Sequence, residues 1–345
     1  MNDFLTDKKL EVQQGKRSQR LFDDYHAAAE RMLAIVDGQT LLVRLTKPNN
    51  FFRKLYDWYE HGRSPGQKRK NGKSGPGATG YKGPWSRVTI LNEIVRVRAF
   101  FGYARRHNFV TSNICYGAAF ARPEKSELRK HRLAKGPRMF TPEQLRILLA
   151  DTESRTTLHA MILLGLNCAF GNADIAKLPR TAVDLTKGMI VFPRPKTGVP
   201  RKIPLWPETI KALRKVDKSR PEPKSPDLAG RMFLTIAGGG YEGDGHSTAI
   251  VQKFSKLLSK HGFKRPGLGF YALRHTFATV ASNCLDQAAV RAVMGHAQLM
   301  VDGQGQQDTM DHYIESFSED RLLRAVNTVR DWLRGAKPAE GVADA

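Results

Sequence analysis

Apolar positions along this chain fall mostly at helical spacing. Between residues 86 and 107 they recur at Ile90, Leu91, Ile94, Val97 and Phe101, with Arg87, Arg96, Arg98, Arg105 and Arg106 among them. That pattern predicts a helix with one apolar face and a basic exposed side. Residues 20–60 also read as helical. Thr141-Pro-Glu-Gln144 sets an N-cap threonine, a proline at the first helical position and a glutamine at N3, a capping box that opens a helix through Leu149. From Thr157 to Cys168 the residues are apolar nearly all round, which places this segment at the centre of a core. Gly188–Pro193 and Arg201–Leu205 are short β-prone runs flanking Thr197-Gly198, a hairpin pattern with Lys196 at its tip. Helices are expected to resume after Ser247 and run to about Arg334. The fold class is therefore mainly α with a small β-sheet (α+β), built as a helical N-terminal domain followed by a second, α+β domain.

The breaks in periodicity divide the chain. Its 345 residues exceed what one core usually organises. Residues 1–121 are expected to form a helical domain containing a Gly- and Lys/Arg-rich loop at 62–84. Residues 122–138, polar and basic, read as a linker, 139–335 as the second domain, and 336–345 as a disordered tail. No apolar run approaches the roughly 20 residues that span a bilayer, and the first residues lack a signal peptide's apolar stretch, so a cytoplasmic, nucleoid-associated location with no membrane partner is expected. Cys115, Cys168 and Cys284 are too scattered for a disulfide framework and read as reduced core residues. Gly72-Lys73-Ser74 lacks the glycine that a phosphate loop needs at position 67, which is Gln, so nucleotide binding is rejected. Neither a metal nor a small-molecule cofactor is expected.

Charge narrows the class of partner. The net charge is +23, and residues 1–138 hold 28 Lys/Arg against 12 Asp/Glu while 139–345 hold 28 against 21. An excess of this size points to a polyanion, with the N-terminal part as its main phosphate-binding surface. The candidates for double-stranded DNA are Lys68, Arg69, Lys70 and Lys73 in the loop, which is expected to order on nucleic acid, and Arg96, Arg98, Arg105 and Arg106 on the helix.

One constellation carries chemistry. Phe270-Tyr-Ala-Leu-Arg-His-Thr-Phe-Ala-Thr279 sets Arg274 inside a segment otherwise built for burial, with Tyr271 three residues before it on the same side. His275, one position further round, reads as a satisfied core histidine. Val293-Met-Gly-His296 ends another helix on glycine and leaves His296 at its exposed end. Met310-Asp-His-Tyr313 presents a late tyrosine.

The order Lys196, Tyr271-x-x-Arg274, Gly295-His296, Tyr313 resembles the tyrosine recombinase (phage integrase) family over about 139–335, with the N-terminal part similar in character to its core-binding domain. The resemblance implies an integrase-like catalytic domain that cleaves and rejoins DNA through a 3′-phosphotyrosine. In it Tyr313 is the nucleophile, Arg274 grips the scissile phosphate, His296 hydrogen-bonds it, Lys196 protonates the 5′ oxygen, and Tyr271 stands in a histidine position. It further implies a homo-oligomer, a tetramer on paired sites, and no cofactor, since the covalent bond conserves the energy of the broken strand.

The family's first catalytic arginine is missing. One register puts Gly171 there, with Asp174 in the place of a following glutamate; the other offers Asn167. Arg155, Arg180, Arg194 and Arg201 are the cations available to replace it. Two readings follow, a recombinase and a cleavage-deficient site-specific DNA-binding protein, with a monomeric topoisomerase as a distant third. After Tyr313, Leu322, Val326, Val329 and Leu333 form one helical stripe that either covers its own domain or docks on a neighbour.

Overall fold

The computed structural model describes residues 1–36, 42–46, 50–61, 84–242, 248–296 and 317–335. The chain is mainly α-helical with one small antiparallel sheet, and it divides into two units, Met1–Gly136 and Pro137–Ala345.

In the first unit α1 (Asn2–Gln13), α2 (Gln19–Leu33), α3 (Leu42–Thr46), α4 (Phe51–His61), α5 (Arg87–Arg106) and α6 (Lys125–Ala134) follow in order. The core is aromatic: Phe4, Phe52, Phe100 and Phe101 meet edge to face at centroid separations of 5.1–5.6 Å. Ser18 and Ser86 cap α2 and α5 by accepting the Leu21 and Thr89 amides. A buried carboxylate, Glu93 on α5, takes two hydrogen bonds from Arg31 on α2 at 2.6 and 3.1 Å and a third from Arg96. Burial of both charges is sustained because each finds the other.

The second unit is built around α8 (Thr156–Asn167), apolar nearly all round and buried along most of its length. Around it lie α7 (Pro142–Thr152), α10 (Pro207–Lys218), α11 (Ala249–Lys260), α12 (Ala272–Ala281) and α14 (Glu319–Arg334). The capping box forms as expected, with Gln144 N–H on the Thr141 hydroxyl and Thr141 N–H on the Gln144 side chain. α9 (Asn172–Lys177) leads to a three-stranded meander, β1 (Val183–Asp184), β2 (Met189–Val191) and β3 (Lys202–Pro204), paired Asp184↔Met189 and Ile190↔Ile203. Ile190 and Ile203 point into the core, and Val191 points out. The buried Asn167 ties the end of α8 to this sheet, donating to Pro204 O at 3.0 Å and accepting from Trp206 N–H at 2.8 Å. α13 (Gln287–Met294) completes the unit.

Several sequence expectations need correcting. The polar stretch expected to be irregular contains α6, a helix with no buried residue and therefore no apolar stripe to read. The helices α1 and α10 and the strand β1 are additions. Of the cysteines only Cys168 lies in the core; Cys115 is exposed and Cys284 half-buried. Among the described residues no helix is long and apolar enough to cross a membrane.

Candidate active site

Arg274, in the first turn of α12, is 2% exposed. Its hydrogen bonds go to two backbone carbonyls and an imidazole, with no carboxylate among the described residues. Nη1 donates to Ala169 O at 2.6 Å, and Nη2 to Met294 O at 2.6 Å and to His296 Nε2 at 2.9 Å. The two carbonyls are where helices end. Ala169 follows the last turn of α8, and Met294 is the last residue of α13, whose unsatisfied carbonyls carry the negative ends of their dipoles. Thr276, one turn along α12, accepts the Phe140 amide at 3.0 Å and so pins the helix to the chain entering α7. Burial and then the nearby Arg194 lower the Arg274 pKa to about 10, still far above neutrality.

His296 is exposed as a residue, but its Nε2 edge faces Arg274. A guanidinium has only donors, so Nε2 must accept and the proton must sit on Nδ1. Desolvation, then Arg274, Arg194 and Arg291, depress its pKa to about 4. The turn that presents His296 depends on Gly295, in the left-handed region at φ 60°. A Cβ there would stand 2.7 Å from Arg201 Cδ and 3.0 Å from Arg194 Cβ.

The β2–β3 connection closes against that turn. Arg194 N–H bonds Val199 O at 2.9 Å, and the Thr197 hydroxyl donates to Gly295 O at 3.2 Å. Lys196, exposed at the tip, is thereby held one residue from a contact with the Gly295-His296 turn. Arg194, two residues before it, reaches the same carbonyl with Nη1 at 3.3 Å.

Gly171 adjoins the site at the start of α9. Its N–H donates to Asp174 Oδ2 at 2.8 Å, and a Cβ on it would meet the Tyr271 ring at 3.2 Å. Tyr271, 47% exposed, packs where a side chain from position 171 would start. The other Asp174 oxygen accepts from Arg201 Nη2 at 2.9 Å. Arg201 is fully enclosed, its guanidinium carbon 4.6 Å from the Phe170 ring centroid and its Nη1 without a hydrogen-bond partner among the described residues. Asn167 is engaged by Pro204 and Trp206, whereas Gly171 adjoins the Tyr271 ring.

Arg274, His296, Lys196 and Tyr271 are thus brought together by four segments, along with Arg194, Thr197, Asp174 and Arg201. Asp174 stood out in the sequence only as an aligned acid. His275 is exposed and stacks edge-on to Tyr271 at 5.4 Å, against the expectation of a core histidine. Tyr313 lies outside the described residues, as do Lys68, Arg69, Lys70 and Lys73. On α5, Arg105 and Arg106 are exposed. Arg96 and Arg98, expected on the open face, are partly buried and internally engaged. Arg96 pairs with Asp24 at 2.5 Å, and Arg98 donates to Phe120 O and lies over the Tyr116 ring.

No family model matches the sequence, and no curated protein matches it either. Solved structures do match. A lambda integrase (residues 75–356) dimer bound to a COC′ core site has a TM-score of 0.60 at 13% identity, covering 86% of this chain and 95% of that one. The chain has the tyrosine recombinase fold. A point variant of the Tn1549 transposon integrase (residues 82–397), in complex with a circular intermediate DNA, matches with a TM-score of 0.57 at 18% identity, covering 92% of this chain and 96% of that one. Within the tyrosine recombinase fold, the carbonyl-bonded arginine and the imidazole on it occupy the junction of α8, α12, α13 and the β2–β3 connection.

Proposed function

We propose that this chain is a site-specific DNA recombinase that cleaves and rejoins double-stranded DNA through a 3′-phosphotyrosine on Tyr313 and works as a homo-oligomer, a tetramer on paired sites. The observation that carries the reading is a buried arginine held by helix ends rather than by an acid, with a neutral imidazole on its edge and a lysine-tipped hairpin fastened beside it. A guanidinium that keeps its full charge has that charge to offer an anion. Both structural relatives were captured on DNA, and the excess of positive charge suits the same partner.

In this mechanism the Tyr313 phenol oxygen attacks phosphorus while the bond to the 5′ oxygen breaks. Lys196 delivers a proton to the departing oxygen, and the phenol proton leaves to solvent, because the neutral Tyr271 hydroxyl is no base. Arg274 compensates the charge that builds on the non-bridging oxygens. His296, protonated on Nδ1, donates to one of them. Attack by another strand's 5′ hydroxyl reverses the step and reseals the backbone.

The chain after the tyrosine is anchored in its own domain. Arg321 on α14 lies over Phe317 and pairs with Asp286, which caps α13. Three residues, at most about 14 Å of chain from Cα to Cα, separate Tyr313 from Phe317. The eight residues of α13 span about 12 Å toward His296. A tether of that reach permits attack in cis, and the long spacing from His296 to Tyr313 equally permits exchange between protomers.

A nicked suicide duplex, tiled from DNA flanking the gene, tests the reading. Covalent adduct with the native chain and none with Tyr313→Phe supports it. The absence of an arginine at Gly171 favours the second reading, a binding protein that has lost cleavage. A footprint on one of these fragments without any adduct selects it.

A further inference from the structure

The glycine at position 171 leaves the phosphate one guanidinium short, and the described arginines can be sorted by where the fold puts them. Arg155 precedes the first residue of α8, and the 12 residues of that helix, about 18 Å, separate it from the end that leads to Ala169. Arg180 is paired with Asp217 at 2.8 Å on the surface. Arg201 is closed off from solvent, with Nε on Phe192 O and Nη2 on Asp174.

Arg194 differs from all three. It is partly buried and its guanidinium makes one hydrogen bond among the described residues, a long one of 3.3 Å to Gly295 O, so four of its five N–H groups remain available. Its backbone is pinned on both sides. The amide bonds Val199 O, and the carbonyl accepts from Thr197 and Gly198 at 3.1 and 2.8 Å. It lies two residues from Lys196 and fastens to the residue before His296, so it stands between two groups that the mechanism uses. Electrostatics agree with the geometry: among neighbouring charges Arg194 is the first to depress Arg274, and it also depresses His296. Two cations at such range repel unless an anion lies between them.

Resting on the recombinase reading above, we infer that Arg194 is a catalytic residue that supplies the second guanidinium on the scissile phosphate, in place of the side chain that Gly171 lacks. Arg201 is a positioning residue. It neutralises Asp174, whose carboxylate would otherwise cancel part of the charge that Arg194 and Arg274 present. Lys196 apart, Arg194, Arg201 and Arg274 against Asp174 then leave +2, that of two free arginines, reached from a different strand connection.

The test uses a suicide duplex that the native full-length chain cleaves. Arg194→Ala is expected to slow adduct formation by about 10²–10³-fold, and Arg194→Lys to recover part of the loss. A structural defect would give the same slowing, so a second substrate separates the two. When one non-bridging oxygen of the scissile phosphate is replaced by methyl, the charge that Arg194 answers is gone, and native and Arg194→Ala chains should react at nearly equal rates. Equal rates on the ordinary phosphate, or an undiminished gap on the methylphosphonate, overturn the inference while leaving the recombinase reading intact. If the native chain forms no adduct on any fragment, both fall together.

Discussion

Arg274 combines two duties that a substitution will expose together. Its removal strands the Ala169 and Met294 carbonyls, and each buried acceptor left alone costs about 1–3 kcal/mol. Arg274→Ala is thus expected to lower the midpoint of urea unfolding as well as abolish adduct formation, a coupling that Lys196→Ala, exposed at the hairpin tip, should not show. His296 offers a pH prediction. Its folded pKa of about 4 lies below the ordinary histidine value, so the unfolded chain binds more protons between these limits. The contribution of His296 to stability should be complete above pH 6.5 and decline as pH falls toward 4. A direct check is an NMR titration of the imidazole, which should remain neutral at pH 5.5; a midpoint near 6.5 would show that the Arg274 contact does not persist in solution. The chemical types at these positions were readable from the chain. That Arg274 is satisfied by helix ends was not, because backbone carbonyls look alike in every sequence.

Apolar runs and cap chemistry made some helices legible, and those that bury little were missed. α8 and the capping box of α7 announce themselves through apolar runs and cap chemistry, whereas α6 buries nothing and α1 buries only Phe4. α10 did have signals, with Pro207 at its first position and Ile210, Leu213 and Val216 at three-residue spacing. Two packing predictions belong here. Gly165 lets α8 approach α12 so closely that an added Cβ would lie 2.7 Å from Leu273 Cδ1 and 3.0 Å from Leu273 Cβ. Gly165→Ala should cost about 1–3 kcal/mol by overpacking. Glu93→Ala leaves Arg31 charged and unpaired in the first unit's interior, for a loss of about 3–5 kcal/mol. Replacing Arg31 and Glu93 together by apolar residues should recover much of that loss in the same urea titrations.

At the scale of the molecule, a charge of +23 makes any DNA affinity steeply salt-dependent. Replacing the exposed Arg105 or Arg106 by alanine should reduce the slope of log K against log salt by about one if that residue meets a phosphate. The same change at Arg96 should leave the slope alone and lower stability instead, since its partners are Asp24 and Glu93. α14 settles against its own domain through Leu322, Val326, Val329 and Leu333, with Trp206 Nε1 donating to Val326 O and Arg330 bonded to Glu208. If Tyr313 attacks in cis, mixing Tyr313→Phe with Arg274→Ala chains should restore no adduct; restored activity would mean that the tyrosine is exchanged between subunits. By itself the sequence determined the fold class, the helical periodicities, the excess of positive charge that favours a polyanion and the residue types offered as the candidate site, because spacing and residue type are local properties. Only the tertiary structure decided that Asn167 is a strut and that Gly171 abuts the Tyr271 ring, that Arg96 and Arg98 face inward, and that Arg194 rather than Arg155 or Arg180 lies beside Arg274. Those outcomes turn on groups that packing brings together across long separations, 105 residues between Arg274 and Ala169, and no periodicity along the chain encodes such a distance.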